Sequence, residues 1–239
     1  MKKLVWLCVA VLIASAGWVF RLRLEIWKDY VLINFMHQNK SVADRLEQYG
    51  AKARSRLGPL FAEAQVPYPP AAVVLAGFKE ERRLELYAAG PDRKLRFIRS
   101  YDITAASGHA GPKLKEGDKQ VPEGVYALVE LNPNSLYHLS MRLDYPNEFD
   151  QAQAAREGRA KLGGDIMIHG NAVSVGCVAV GNAGSEDLFV LAADAGMDKV
   201  KVVLSPSDLR RSPPPAGPDL PSWTPELYRR LSAELSALP

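Results

Sequence analysis

The chain has 239 residues and a mass of 26.2 kDa, enough for one domain with appendages and a core that needs no disulfide or metal staple. Apolar residues make up 47% and charged residues 24%, which excludes wholesale disorder, a collagen-like chain and a multi-span membrane protein. The net charge is +3, but without Lys2 and Lys3 only 28 basic residues face 27 acidic ones, so charge does not point to a nucleic-acid partner.

Met1-Lys2-Lys3, the apolar run Leu4–Ile13 and the small triplet Ala14-Ser15-Ala16 have the layout of a secretory signal peptide. The apolar stretch continues through Gly17-Trp18-Val19-Phe20, at the short end of what spans a bilayer. Export with cleavage and export with an uncleaved inner-membrane anchor both fit, and both predict the periplasm or cell envelope. Residues 21–40 mix apolar and charged side chains and predict a juxtamembrane helix. Ser41 with Asp44 forms a capping-box pattern, and Val42, Leu46, Tyr49, Ala53 and Leu57 recur at helical spacing. That helix is expected over 41–57, ending at Gly58-Pro59. Pro67-Tyr68-Pro69-Pro70 reads as a linker.

Strands are predicted over Ala72–Phe78, around Leu84–Ala88 and over Leu95–Tyr101, with a hairpin turn at Ala89-Gly90-Pro91-Asp92. Ser107 to Gly124 is a long loop rich in Gly, Pro and Lys. Further strands are expected over Val125–Leu131 and Leu136–Arg142, then a helix over Glu148–Arg156 and a brief strand at Ile166–His169. Ser185 is expected to cap a helix reaching about Ala195, and Lys199–Leu204 alternates as a last strand. Six prolines between 205 and 221 exclude regular structure there. Thr224-Pro225 then opens a terminal helix with Leu227, Leu231, Leu235 and Leu238 along one face. The expected class is mainly β, α+β, with helices at its ends and edges.

The chemistry concentrates in Ile166–Cys177. Cys8 lies in the export segment, so an exported chain keeps Cys177 without an intrachain partner. Such a leftover cysteine is either a reactive thiol or a buried small hydrophobe. His169 stands eight residues upstream, and glycines adjoin both residues. A strand, a tight loop and a second strand can bring His169 against Cys177, where a base activates the thiol. A thiol activated in this way alkylates quickly well below its ordinary pKa of about 8.5. The N–H groups of Gly176 and Cys177 are candidates for an oxyanion hole. His109 falls in the glycine-rich loop and His138 in a predicted strand. No histidines or cysteines have metal-ligand spacing, and there is no phosphate-binding loop or Gly-x-Ser-x-Gly elbow, so neither a metal nor a cofactor is expected.

His169-Gly170 followed by Ser174-Val175-Gly176-Cys177 resembles the motif of the L,D-transpeptidase catalytic domain (YkuD-type). The short spacing is similar to the YafK-like branch. Gly111-Pro112-Lys113, Glu116-Gly117-Asp118 and Val121-Pro122-Glu123-Gly124 resemble that branch in order, as do Tyr137-His138-Leu139-Ser140 and Tyr145-Pro146-Asn147. The resemblance covers about residues 70–205. It implies a β-sandwich-like catalytic domain over 71–205, after a signal or anchor at 1–20 and a helical spacer at 21–70, and before a Pro-rich tail and helix at 206–239. It also implies an enzyme acting on peptidoglycan stem peptides: Cys177 as nucleophile, His169 as proton acceptor and donor, and the Gly170 carbonyl as its orienter. Gly176, Ser174 and Tyr137 are the implied oxyanion and substrate contacts, with Ser174 shaping the loop. Many members carry an arginine two residues after the cysteine; here Ala179 stands there, and Lys113 or Lys115 is a candidate replacement anion contact. The YafK-like branch also lacks that arginine, and its members can release a wall-linked lipoprotein. Cross-linking, amide hydrolysis and a non-catalytic wall-binding module therefore all remain as expectations.

Overall fold

The computed structural model describes residues 40–239 and the isolated helical positions Arg21, Glu25 and Lys28. The expected signal or anchor at 1–20, and all but those three positions and Lys40 of the juxtamembrane helix, lie outside the described residues. Among the described residues no helix is long and apolar enough to cross a membrane.

The first helix, α1, spans Val42–Glu63. Its capping box closes as the sequence predicts: Asp44 N donates to Ser41 Oγ at 3.1 Å, and Ser41 N donates back to Asp44 Oδ2 at 2.7 Å. The helix does not stop at Gly58-Pro59 but carries Pro59 inside it. An internal proline costs roughly 3 kcal/mol. Leu57 and Phe61 flank it, both fully buried in the main core, and burying two such side chains returns about 1.5–3 kcal/mol each.

Strands β1 (Ala72–Phe78), β2 (Arg83–Ala89) and β3 (Leu95–Asp102) form an antiparallel meander. After β4 (Ala105–Ala106) and the long loop come β5 (Gly124–Asn132) and β6 (Ser140–Leu143). The expected strand over Leu136–Arg142 is shorter because His138 adopts φ +76°, which breaks an extended run. Helix α2 covers Glu148–Arg156, the predicted bounds. Strands β7 (Met167–His169) and β8 (Val178–Ala179) lead into α3 (Gly181–Ala195). Ser185 lies within α3 rather than at its start; its hydroxyl donates to Asn182 O at 3.0 Å. The last strand, β9, is Val200–Ser205, and α4 spans Thr224–Ser236. Thr224 is the first residue of α4 rather than its cap, and its hydroxyl donates to Pro221 O at 2.8 Å.

The strand order is β3-β2-β1-β9-β5-β6-β7-β8-β4. The α+β class expected from sequence is the class observed, but its two halves are continuous through β5. The first residues of β5 pair with β9, and from Leu128 onward it pairs with β6 across an irregularity between Leu128 and Glu130.

Period-2 alternation on β1 and β9 builds two cores. Val73, Leu75, Val202 and Leu204 join α1 and α3 in the larger one. Val74, Ala76, Phe78 and Val203 face the other way, against Leu227, Tyr228, Leu231, Leu235 and Leu238 of the terminal segment. The leucine face read from sequence thus docks as expected. Helix α1 is fixed to α3 by ion pairs as well as by packing: Arg54 with Asp194, and Arg56 with Asp187 and Glu186. Ser41–Pro239 is consequently one unit.

Candidate active site

Strands β7 and β8 run parallel, with Ile168 opposite Val178 and His169 opposite Ala179. Cys177 immediately precedes β8 and lies within hydrogen-bonding reach of the Met167 backbone, two residues before His169. Residues 170–177 thus make a tight connection between two short parallel strands, which the flanking glycines permit. Gly176 holds φ +103°. A Cβ on Gly170 would lie 2.8 Å from both Asn182 Oδ1 and Tyr137 O, so no larger residue fits there unchanged.

His169 is buried, and its Nδ1 lies 2.7 Å from the carbonyl oxygen of Gly170. A carbonyl only accepts, so a neutral imidazole here carries its proton on Nδ1 and leaves the Nε2 lone pair free. Burial holds the His169 pKa below its ordinary value, opposed by the Gly170 carbonyl. The Tyr137 ring lies over the imidazole, 4.8 Å between centroids and inclined by 32°.

Cys177 is a free, half-buried thiol. Its Sγ lies 3.7 Å from the Asp165 carbonyl oxygen, to which it donates, and it has no hydrogen bond to His169. Burial raises the thiol pKa above its ordinary value. A hydrogen bond from Met167 N–H and the charge of Lys113 oppose that rise, while Asp165 adds to it. Burial thus works against a standing thiolate at Cys177.

One expected oxyanion donor is occupied. Gly176 N–H donates to Ser107 Oγ at 2.6 Å, so of the pair only the Cys177 N–H is not held by Ser107. Ser174 binds within the loop: it donates to Cys177 O at 2.7 Å and accepts from Ser107 N at 3.2 Å. Sequence reasoning missed Ser107. It lies about seventy positions upstream, and only the pairing of β4 with β8 brings it to the site. Asn182 was missed as well; its Oδ1 accepts from Asn171 N at 2.8 Å.

Lys113 is buried and bound to Asp118 and to the Lys115 carbonyl, so it is not a free anion contact. Ala179 is fully buried between β4 and β7. The long loop is rigidly braced. Lys79 Nζ donates to the carbonyls of Gly111 and Val121 and to Glu123 Oε1, each at 3.0 Å. His109 is exposed, with Nδ1 2.7 Å from Ala110 O. Among the described residues no group of three or more His, Cys, Asp or Glu is placed to hold a metal ion. Leu136, Tyr137, Val173 and Val175 are exposed apolar side chains on the two segments that flank the pair.

A sheet-rich α+β domain with a histidine on one of two paired parallel strands and a free cysteine immediately before the other defines a candidate cysteine acyl-transfer enzyme. Residues 74–203 match the model of the YkuD family, the L,D-transpeptidase catalytic domain, and the chain belongs to that family. It is 37% identical over 134 residues to the YafK protein of Escherichia coli (strain K12), whose L,D-transpeptidase assignment is itself provisional. That match covers 54% of this chain and 52% of YafK, so the chain spans about half the length of the curated relatives it matches. Among solved structures it is similar to the helical cell shape determining protein Pgp2 of Campylobacter jejuni. Identity there is 27% and the TM-score 0.46, over 57% of this chain and 48% of that one. For L,D-transpeptidase 1 of Mycobacterium tuberculosis the identity is 13% and the TM-score 0.33, over 56% and 62%.

Proposed function

We propose that the protein is an exported, cysteine-dependent enzyme that acts on peptidoglycan stem peptides through a thioester on Cys177. The observation that carries this is the 2.7 Å contact between His169 Nδ1 and Gly170 O. It leaves Nε2 available as a base for Cys177, which immediately precedes the strand paired with that of His169. As the thiol attacks the carbonyl of the L-centre of the stem's diamino acid, its proton passes to His169 Nε2. The new C–S bond forms while the carbonyl π pair moves to oxygen. The Cys177 N–H is the candidate donor to that oxyanion. Collapse breaks the C–N bond, and His169 returns the proton to the leaving amine, which gives the thioester and a neutral imidazole. An amine acceptor then completes transpeptidation, or water completes hydrolysis, by the same steps in reverse order.

The lowered imidazole and raised thiol support proton transfer at the moment of attack rather than a standing thiolate–imidazolium pair. Family membership supports the reaction class. The basic and apolar N-terminus supports export to the periplasm or envelope, with the inner membrane as a partner of an uncleaved form. Buried Ala179 favours a second reading, an amidase releasing a wall-linked lipoprotein, because it offers no side chain to bind a stem carboxylate.

Mass spectrometry of products separates the readings. The full chain and its Cys177→Ala variant are incubated with tetrapeptide muropeptides and with lipoprotein-bearing sacculi. Cross-linked dimers or D-amino-acid exchange from the parent alone is the expected result. Lipoprotein-derived peptide released without new cross-links supports the amidase. No Cys177-dependent product from either substrate overturns both readings and leaves a wall-binding module.

A further inference from the structure

Where sequence periodicity predicts a continuous strand, Ser135–Leu139 makes a turn. His138 within it holds φ +76°, a left-handed conformation that is strained for a side-chain-bearing residue. Two contacts from outside the turn hold it there. Its Nε2 lies 3.0 Å from Oε1 of Glu186 on α3, and its ring packs edge-on against Tyr49 of α1, with centroids 5.0 Å apart. The second Glu186 oxygen accepts from Arg56 of α1 at 3.0 Å. Helix α1 therefore braces both the histidine and its carboxylate partner.

The other side of this turn is a wall of the reacting centre. Tyr137 lays its ring over His169. The Cα of Gly170 passes so close that an added Cβ would meet Tyr137 O at 2.8 Å and His138 Cβ at 2.9 Å. The turn is thus in contact with the imidazole and with the residue whose carbonyl fixes the Nδ1 proton. Leu139 O also accepts from Gly170 N at 3.2 Å.

We propose that His138 is a positioning residue for His169. Its tether to Glu186 and Tyr49 keeps the Tyr137 ring against the base and the Gly170 carbonyl on Nδ1. This rests on the reading of His169 as the base. It also gives α1, which lies outside the family match, a part in the reaction: the helix sets the shape of the wall that the base leans on.

The test uses the full chain with isotopically labelled histidine. A stacked aromatic ring shifts the imidazole ring protons of His169, and those signals are assigned by their loss in His169→Ala. His138→Asn keeps a side chain that tolerates the left-handed backbone but does not reach Glu186. Glu186→Ala removes the acceptor, and Glu186→Gln keeps an amide oxygen in its place. In His138→Asn and Glu186→Ala the His169 ring-proton shifts should move toward unstacked values, and kcat should fall about tenfold with KM within about twofold. Glu186→Gln should restore most of both. Ring-proton shifts that stay at the parent value in His138→Asn overturn the proposal, whatever happens to kcat, and so does a moved shift with parent kcat. Should His138→Asn fail to fold, Glu186→Ala carries the same test with the turn's own residues intact. Product formation that survives His169→Ala removes the base itself, a failure of the underlying reading and not of the tether alone.

Discussion

Burial moves Cys177 and His169 in opposite directions, the thiol up and the imidazole down. Both shifts favour the neutral pair at rest. Alkylation of Cys177 by iodoacetamide should therefore rise with pH through a midpoint above the ordinary thiol value of about 8.5. With His169 as the proposed base, acting during attack, His169→Ala should leave that midpoint nearly unchanged while lowering turnover by about 10²–10⁴-fold. A midpoint below pH 8 that rises in His169→Ala would show a standing ion pair instead. Because the imidazole stays neutral below its ordinary value of about 6.5, the acid limb of kcat/KM should also fall below that pH. The motif residues were legible in the sequence because they sit within twelve positions of one another. The state of the thiol was not, since it depends on how deeply the sheet buries it.

Among elements, those whose pattern is local were read well. The β1–β3 meander follows from alternation and turn residues, and α4 from the proline in its first turn and its leucine periodicity. Two of the misreadings come from contacts with distant chain. Pro59 stays helical because Phe61 finds the core, and the run at Leu136 fails as a strand because Glu186 and Tyr49 hold His138 in a turn. Ser107 is another such case. It is an unremarkable loop serine in sequence, yet it links β4 to the cysteine loop through Gly176 N and Ser174. Ser107→Ala leaves the buried Gly176 N–H without that acceptor, at a cost of about 1–3 kcal/mol. Urea unfolding should show that loss, and turnover should fall about tenfold through a loosened loop. A variant with parent stability and turnover would mean that the loop keeps its shape without the serine.

At the scale of the whole molecule, α4 closes the second core and, with α2, walls a groove of about 800 Å³. Asp150 of α2 lines it, and burial raises that carboxyl to about 6. An acid raised above its unfolded value of about 3.9 binds protons more tightly when folded. Its stabilisation is complete below that unfolded value and is lost as pH rises through about 6. The melting temperature should therefore fall between pH 4 and 6 through this group, by an amount worth about 1–3 kcal/mol. His169, lowered by burial, acts in the opposite sense near its own value. Subtracting the pH profile of Asp150→Asn isolates the carboxyl. A profile that does not differ between parent and variant would place Asp150 outside the linkage.

The position of β9 has a consequence for how the chain reaches its fold. This strand, the last in sequence, lies between β1 and β5, parallel to one and antiparallel to the other. Until residues 200–205 arrive, the meander and the strands that carry His169 and Cys177 belong to separate ladders, each with an open edge. A nascent chain thus holds His169 and Cys177 before the two ladders are joined into one sheet. Joining the two ladders requires a contact across more than 120 residues, a separation that slows assembly and prolongs edge exposure. Completion of the fold is set by β9, and a chain that stops short of it carries His169 and Cys177 on an unfinished scaffold.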